Sequence, residues 1–272
     1  MADETIPVAR PATCVPGHFG EWIQGRLGPE GPVVLVTLSC PALCVRAPGS
    51  GPRLDQLFPS RAVSGFAAAL GLGPVSWPGL DCDMPVGAGA GASTACLVAS
   101  ARALGSRAAP ETLARACLDV EGATDPLMYS GPDAMLWASR EGCALEAMPP
   151  PPRCEIVGGF WGAPMRTDPQ DAAFPDVADL VTFWRGAVAR GDRAALAGIA
   201  SESARRCTAL RGPDDPMEAL ARALGALGHV RAHTGTARAL IFGPGNVPSE
   251  AGAALAEAGL TGALRFVTGG GA

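Results

Sequence analysis

Pro85-Val86-Gly87-Ala88-Gly89-Ala90-Gly91-Ala92-Ser93-Thr94-Ala95 is the stretch on which the reading of this chain turns. Three glycines alternate with alanines, and two hydroxyl residues follow. Glycine has no Cβ, so the backbone can lie close against a bound group. Residues 95–104 are strong helix formers without a breaker, so a helix is expected to begin near Ser93. A glycine loop that runs into a helix N terminus aims amide N–H groups and the positive end of the helix dipole at one point. Phosphate groups suit that point. Ser93 or Thr94 can add a hydroxyl to Mg²⁺, a hard cation that prefers oxygen ligands.

Two well-known alternatives fail. The spacing is not the G-x-G-x-x-G of a dinucleotide fold, and a Walker A loop needs a lysine. This chain has none: all 21 basic residues are arginine. The same absence removes Schiff-base and pyridoxal-phosphate lysine chemistry. A net charge of -5 argues against a nucleic-acid or anionic-membrane partner. It leaves room for a phosphate ligand held by amides and Mg²⁺.

The 272 residues, 48% of them hydrophobic, can bury a sizeable core, but only 5% are aromatic, so that core is built largely from small side chains. The nine cysteines include no C-x-x-C pair, and Cys40 and Cys44 have no second pair to complete a zinc site. Such unpatterned thiols suit a reducing compartment. Residues 1–9 carry Asp3 and Glu4 without an apolar stretch, so no signal peptide is expected there. No apolar run of about 18 residues reads as a membrane span. Together these features predict a cytoplasmic protein.

Strands are expected over 33–47 (one strand or a bent pair), 77–84, 154–158, 238–242 and 263–267, and a hairpin from 135–139 and 143–147. Helices are expected over 61–72, 95–104, 110–120, 176–190, 192–207, 216–227 and 249–258, with Pro110 at a first helical position and Asp192 as an N-cap. Pro149-Pro150-Pro151-Pro152 is too stiff and donor-poor for an element interior. It marks the expected boundary between two α+β domains, 1–148 and 153–272.

Three further segments carry a family likeness. The glycine-rich stretch resembles the P-x-G-x-G-x-x-S-S-A motif of the GHMP kinases, departing at Ala92, where the first serine is expected. Pro16-Gly17-His18-Phe19-Gly20-Glu21-Trp22-Ile23-Gln24-Gly25 is similar to the P-G-x-x-G-E-x-x-Q-G opening of the branch that includes L-threonine kinase, the enzyme of cobalamin synthesis and propanediol utilisation. Glu121-Gly122-Ala123-Thr124-Asp125-Pro126-Leu127-Met128-Tyr129 resembles that branch's E-P-T-D-x-x-M-Y stretch with one extra residue, and Ala232-His233-Thr234-Gly235-Thr236 its third motif.

The resemblance implies a two-domain α+β GHMP kinase fold, with a ribosomal-protein-S5-like N-terminal domain that binds nucleotide and a ferredoxin-like C-terminal domain. It implies ATP and Mg²⁺ as cofactors, and transfer of phosphate to the hydroxyl of L-threonine. ATP would lie on Pro85, Val86, Gly87, Ala88, Gly89, Ala90, Gly91, Ala92, Ser93 and Thr94. Asp125 would act as catalytic base, Ser93 and Glu121 as metal ligands, and Glu21, His18 and Gly235 as substrate-binding residues. The partner is then a small hydroxy amino acid, with neither nucleic acid nor membrane involved; oligomeric state stays open, a homodimer included. A kinase for another acceptor such as homoserine, or a nucleotide-binding protein without catalysis, fits the same motifs.

Some arginine must serve phosphate or carboxylate in a chain without lysine, and Arg46, Arg102 and Arg238 are candidates. His229 and His233 have the i,i+4 spacing of a helical metal pair, but no glutamate lies between them and His233 belongs to the third motif, so no metal site is expected there.

Overall fold

Two antiparallel sheets organise the chain. The computed structural model describes residues 12–270 except Val86, Arg166, Thr167 and Pro169. Residues 1–9 and Val86 of the loop, for which expectations were stated, lie outside the described residues.

The first sheet contains β1 (Thr13–Arg26), β2 (Val33–Gly49), β3 (Gly79–Cys82), β4 (Met135–Ala138) and β5 (Cys143–Ala147). Its order is β1-β2-β4-β5, with β3 on the far stretch of β2. The expected hairpin is present, and residues 33–47 form one long strand. The glycine-rich opening, by contrast, is a strand that local sequence reasoning passed over. β1 runs through Pro16, Gly17 and Gly20 because register shifts at Pro16/Gly17, His18/Glu21 and Glu21/Ile23 absorb them. Gly20 also takes a positive φ of 73°.

Helices α1 (Leu54–Leu57), α2 (Ser60–Ala69), α3 (Ala92–Ala103) and α4 (Pro110–Glu121) accompany this sheet. α3 packs on β1 and β2 and carries Leu97 and Val98 into a core with Phe66, Trp77 and Trp137. α4 starts with Pro110 at its first position, as expected, and ends on Gly122 at φ 72°.

The second sheet has the order β7-β8-β6-β9, from β6 (Cys154–Phe160), β7 (Gly228–Arg231), β8 (Ala237–Phe242) and β9 (Thr261–Thr268). α6 (Arg193–Arg211), α7 (Met217–Ala223) and α8 (Ala251–Glu257) pack on it, and α5 (Ala178–Ala189) packs on α6 and β1. Asp192 caps α6 by accepting the Ala195 N–H at 3.0 Å. β7 places His229 on a strand, so the helical spacing considered for His229 and His233 does not exist.

One core draws on both sides of the proline run. Phe19, Trp22 and Ile23 of β1 and Leu136 of β4 bury with Ile156, Trp184, Leu196 and Ile241. Trp22 and Trp184 meet with ring centroids 5.5 Å apart. Both are fully buried. Side chains of this size contribute about 1.5–3 kcal/mol each when buried, so β1 is held from both sheets. That anchoring fixes the position of the polar residues of β1, His18 and Glu21.

Candidate functional site

The site forms where three chain segments cross. The glycine loop takes a repeating left-handed conformation: Gly87, Gly89 and Gly91 have φ of 76°, 70° and 75°. A side chain at these positions is strained, which explains the glycine at every second residue. Gly91 is the N-cap of α3, and no side chain caps that helix end. The loop therefore delivers an uncapped helix N terminus, the anion-favouring geometry expected from the sequence.

β1 lies against the loop. His18 N–H donates to Ala90 O at 3.1 Å and Gly20 N–H to Gly89 O at 3.4 Å. The third motif closes the other side: Ala237 N–H donates to Ala88 O at 2.9 Å. A Cβ on Gly235 would run into the backbone of Ala88 and Gly89. The glycine at 235 is thus required by close backbone approach. Met165 covers the loop's start, its N–H donating to Gly87 O at 3.2 Å.

The acidic loop after α4 meets the first turn of α3. Thr94 Oγ1 donates to Glu121 at 3.0 and 3.2 Å from its two carboxylate oxygens, and lies 3.3 Å from Thr124 Oγ1. Asp125 N–H donates to the same Thr94 oxygen at 3.3 Å. Trp137 Nε1 donates to Thr124 O at 2.7 Å, and Thr124 N–H to Ser139 O at 2.8 Å. Both contacts pin this loop to the β4 end of the first sheet. Gly122 turns left-handed at the end of α4, and Glu121 just before it reaches the first turn of α3.

Thr94, offered as a metal-hydroxyl alternative to Ser93, is buried and occupied by these contacts. Ser93 is exposed, in the first turn of α3 beside Thr94. Burial raises the Glu121 carboxyl to about 8, against the pull of hydrogen bonds from Ser93, Thr94 and Thr124. A carboxyl starved of charge compensation beside a hydroxyl, at an uncapped helix end, is a hard-oxygen donor set. Ser93 and Glu121 therefore fit a Mg²⁺ ion.

His18 and Glu21 sit behind Asp125. His18 Nε2 lies 3.2 Å from Asp125 Oδ2, and His18 Nδ1 lies 3.2 Å from Glu21 Oε1. His18 and Glu21 are only 4% and 6% exposed, while the Asp125 side chain is 24% exposed. Burial lowers the His18 pKa, but the Glu21 and Asp125 carboxylates outweigh it and hold it up to about 9. Glu21 is itself raised by burial, with His18 as the main opposing pull. Sequence reasoning had no signal for this row, since residues 18 and 125 are brought together only by the fold.

The three arginine candidates are all committed elsewhere. Arg46 forms a two-pronged pair with Asp83 at 2.8 and 2.6 Å. Arg238 Nε donates to Asp215 Oδ2 at 2.7 Å. Arg102 Nη2 donates to Met128 O at 2.7 Å, which braces the acidic loop from below. His233 does not ligate a metal pair: it stacks on Phe174 at 4.0 Å and accepts from Arg211 Nε at 2.6 Å.

No protein-family model matches the chain, and no curated protein matches it by sequence. Solved structures do match in fold. The chain superimposes on mevalonate kinase of L. major in complex with R-mevalonate with a TM-score of 0.62 at 13% identity, covering 100% of both chains. For Streptococcus pneumoniae phosphomevalonate kinase the TM-score is 0.63 at 12% identity, covering 95% of this chain and 98% of that one. For homoserine kinase of Cytophaga hutchinsonii it is 0.61 at 15% identity, covering 98% and 97%. The chain therefore has the two-sheet α+β fold of GHMP kinase structures over its full length.

Proposed function

We propose that this protein is an ATP-dependent small-molecule kinase of the GHMP type whose acceptor is the hydroxyl of L-threonine, giving O-phospho-L-threonine and ADP. The observation that carries the reading is the hydrogen bond from Asp125 N–H to Thr94 Oγ1 at 3.3 Å. It ties a partly exposed carboxylate to the first turn of the helix whose N terminus faces the glycine loop. Phosphoryl transfer needs those two things side by side: an anion cradle for the nucleotide and an acceptor-side base.

In this reading Gly87, Gly89 and Gly91 bring the loop amides to the phosphates, and the α3 terminus adds its dipole. Ser93 and Glu121 hold Mg²⁺, which when bound neutralises charge on the phosphate oxygens. Asp125 orients the acceptor hydroxyl and accepts its proton as the new O–P bond forms. Gly235 closes the loop from the second sheet, and Glu21 and His18 line the acceptor side. The work is positioning and charge neutralisation, with no covalent intermediate.

Threonine as acceptor, and a place in cobalamin synthesis, rest on the P-G-x-x-G-E-x-x-Q-G and T-D-x-x-M-Y likenesses. Homoserine is the natural comparator, because it differs only in where the hydroxyl sits. The test is ADP release by the purified protein against a panel of hydroxy amino acids, alongside Asp125→Asn. Threonine should give the highest kcat/KM. Asp125→Asn should lower kcat by about 10²–10⁴-fold while ATP affinity stays within a few-fold. No turnover of threonine defeats the acceptor assignment, and no turnover of any acceptor defeats the kinase reading.

A further inference from the structure

The buried row behind Asp125 is short of donors. His18 Nε2 lies 3.2 Å from Asp125 Oδ2, and His18 Nδ1 lies 3.2 Å from Glu21 Oε1. The first approach is a hydrogen bond. The second is out of line: among the described residues Nδ1 has no hydrogen-bond partner, and neither has Glu21 Oε2. A neutral imidazole carries one N–H. With that hydrogen on Nε2, the bare Nδ1 faces a carboxylate oxygen of Glu21. With it on Nδ1, the bare Nε2 faces Asp125. Either way a lone pair meets a carboxylate at 3.2 Å, where His18 and Glu21 are only 4% and 6% exposed. Such a contact is costly without positive charge between the two.

No arginine supplies that charge. Among the described residues, His18 is the only ion-pair partner of either carboxylate. Arg231 borders a small cavity beside Glu21, but it donates to Thr208 Oγ1 at 2.6 Å and faces Asp215. Glu21 and Asp125 hold the His18 pKa up to about 9, so this point attracts positive charge. A proton brings one charge and has no acceptor in line at Nδ1. A divalent cation brings two, against two carboxylates.

The spacing suits one ion. One ligand atom each from His18, Glu21 and Asp125 lies within 4.8 Å of the other two. Ligands about 2.0–2.2 Å from a common ion stand roughly 3–4 Å apart. A turn of the Asp125 side chain, which is 24% exposed, closes the widest gap. The histidine is already held: its N–H is bonded to Ala90 O at 3.1 Å, and its ring lies against Gly91. One imidazole nitrogen with two carboxylates favours a first-row transition ion over Mg²⁺.

We propose that His18, Glu21 and Asp125 form a binding site for a divalent transition-metal cation of the Zn²⁺ type, separate from the all-oxygen pair Ser93 and Glu121. Three protein donors leave a coordination position open. Asp125 is the partly exposed member, so a water or hydroxyl enters from its side. The site needs only these three side chains; on the kinase reading, the open position is where the acceptor hydroxyl arrives.

The test starts from protein stripped with EDTA and desalted. It is titrated with Zn²⁺ by calorimetry in excess Mg²⁺, and with Co²⁺ by visible absorption. One equivalent of Zn²⁺ should bind without displacement by Mg²⁺. Protons should be released as the ring and carboxyls become ligands, so the heat should vary with the ionisation enthalpy of the buffer. The nine cysteines are the competing donors, and Co²⁺ reports them: d–d bands are expected without a thiolate charge-transfer band. His18→Gln and Glu21→Gln should each weaken Zn²⁺ binding by about 100-fold or more. Asp125→Ala, at the partly exposed position, should weaken it by about 10-fold or more, and covers the case in which the buried variants do not fold. Ser93→Ala should leave it within a few-fold. Absence of stoichiometric Zn²⁺ binding overturns the site, as does a thiolate band or an affinity unmoved by Asp125→Ala. Zn²⁺ binding without turnover of any acceptor defeats the kinase reading and leaves the metal site standing. Turnover without Zn²⁺ binding does the reverse.

Discussion

Thr94 Oγ1 bridges both carboxylate oxygens of Glu121, at 3.0 and 3.2 Å. The same oxygen accepts the Asp125 N–H. One hydroxyl in the first turn of α3 therefore fixes the two acidic residues of the loop relative to the glycine cradle. Thr94→Val keeps the shape and removes the hydroxyl, leaving the half-buried Glu121 carboxyl and a backbone N–H short of a partner. We expect a loss of about 1–3 kcal/mol in urea unfolding and a fall in kcat. Thr94→Ser should restore most of both. Equal stability of the Val variant and the unaltered protein would show that the contact contributes nothing.

Gly91 and Gly105 separate backbone strain from crowding. Both have positive φ, 75° and 84°. A Cβ at 105 meets nothing within 4 Å, whereas at 91 it meets His18 and Leu127. Gly105→Ala should cost about 1–2 kcal/mol from φ alone. Gly91→Ala should add an overpacking cost of about 1–3 kcal/mol and weaken binding of a fluorescent ATP analogue. Matching stabilities for the two variants would contradict the crowding at 91.

Arg102 sits in the last turn of α3, against the acidic loop. Its hydrogen bond to Met128 O, 2.7 Å long, makes it a brace for the segment that carries Asp125. Arg102→Ala is expected to lower kcat about 3–10-fold with little change in ATP affinity. A parallel loss of ATP affinity would mean that the guanidinium serves phosphate directly.

His233 should make the protein acid-sensitive. Burial and the Arg211 guanidinium hold its folded pKa at about 3, below the ordinary histidine value of 6.5. Between these values the unfolded chain binds a proton that the folded chain does not. Stability therefore falls as pH drops from about 6.5 toward 3, by up to about 1.4 kcal/mol per pH unit from this group. Other groups titrate in the same window, so the check is the difference between His233→Gln and the unaltered protein in urea midpoints from pH 7 to 4. The variant's profile should be flatter; parallel profiles would remove His233 as a cause.

Local chemistry was legible wherever it acts through near neighbours in the chain. Pro110 at a helix start, Asp192 as a cap and the hairpin over 135–147 each depend on contacts a few residues long, and each appears in the structure. β1 was missed because Pro16, Gly17 and Gly20 look like loop residues in isolation. They are tolerated only because β2 shifts register beside them and because Phe19, Trp22 and Ile23 bury against two sheets. The arginine partners were equally hidden. Arg46–Asp83, Arg102–Met128 and Arg238–Asp215 are separated by 37, 26 and 23 residues, and no spacing rule links them.

The amino-acid sequence by itself determined the glycine loop and the helix that follows it. Alternating glycines impose their own backbone, and the helix formers after Ser93 need no distant partner to be read. It also excluded every lysine mechanism. Only the tertiary structure decided what faces that loop. It placed Asp125 and Glu121 on the Thr94 hydroxyl and set His18 between Glu21 and Asp125. Those contacts join residues that burial of a shared core, and not local preference, brings within 3.3 Å of one another.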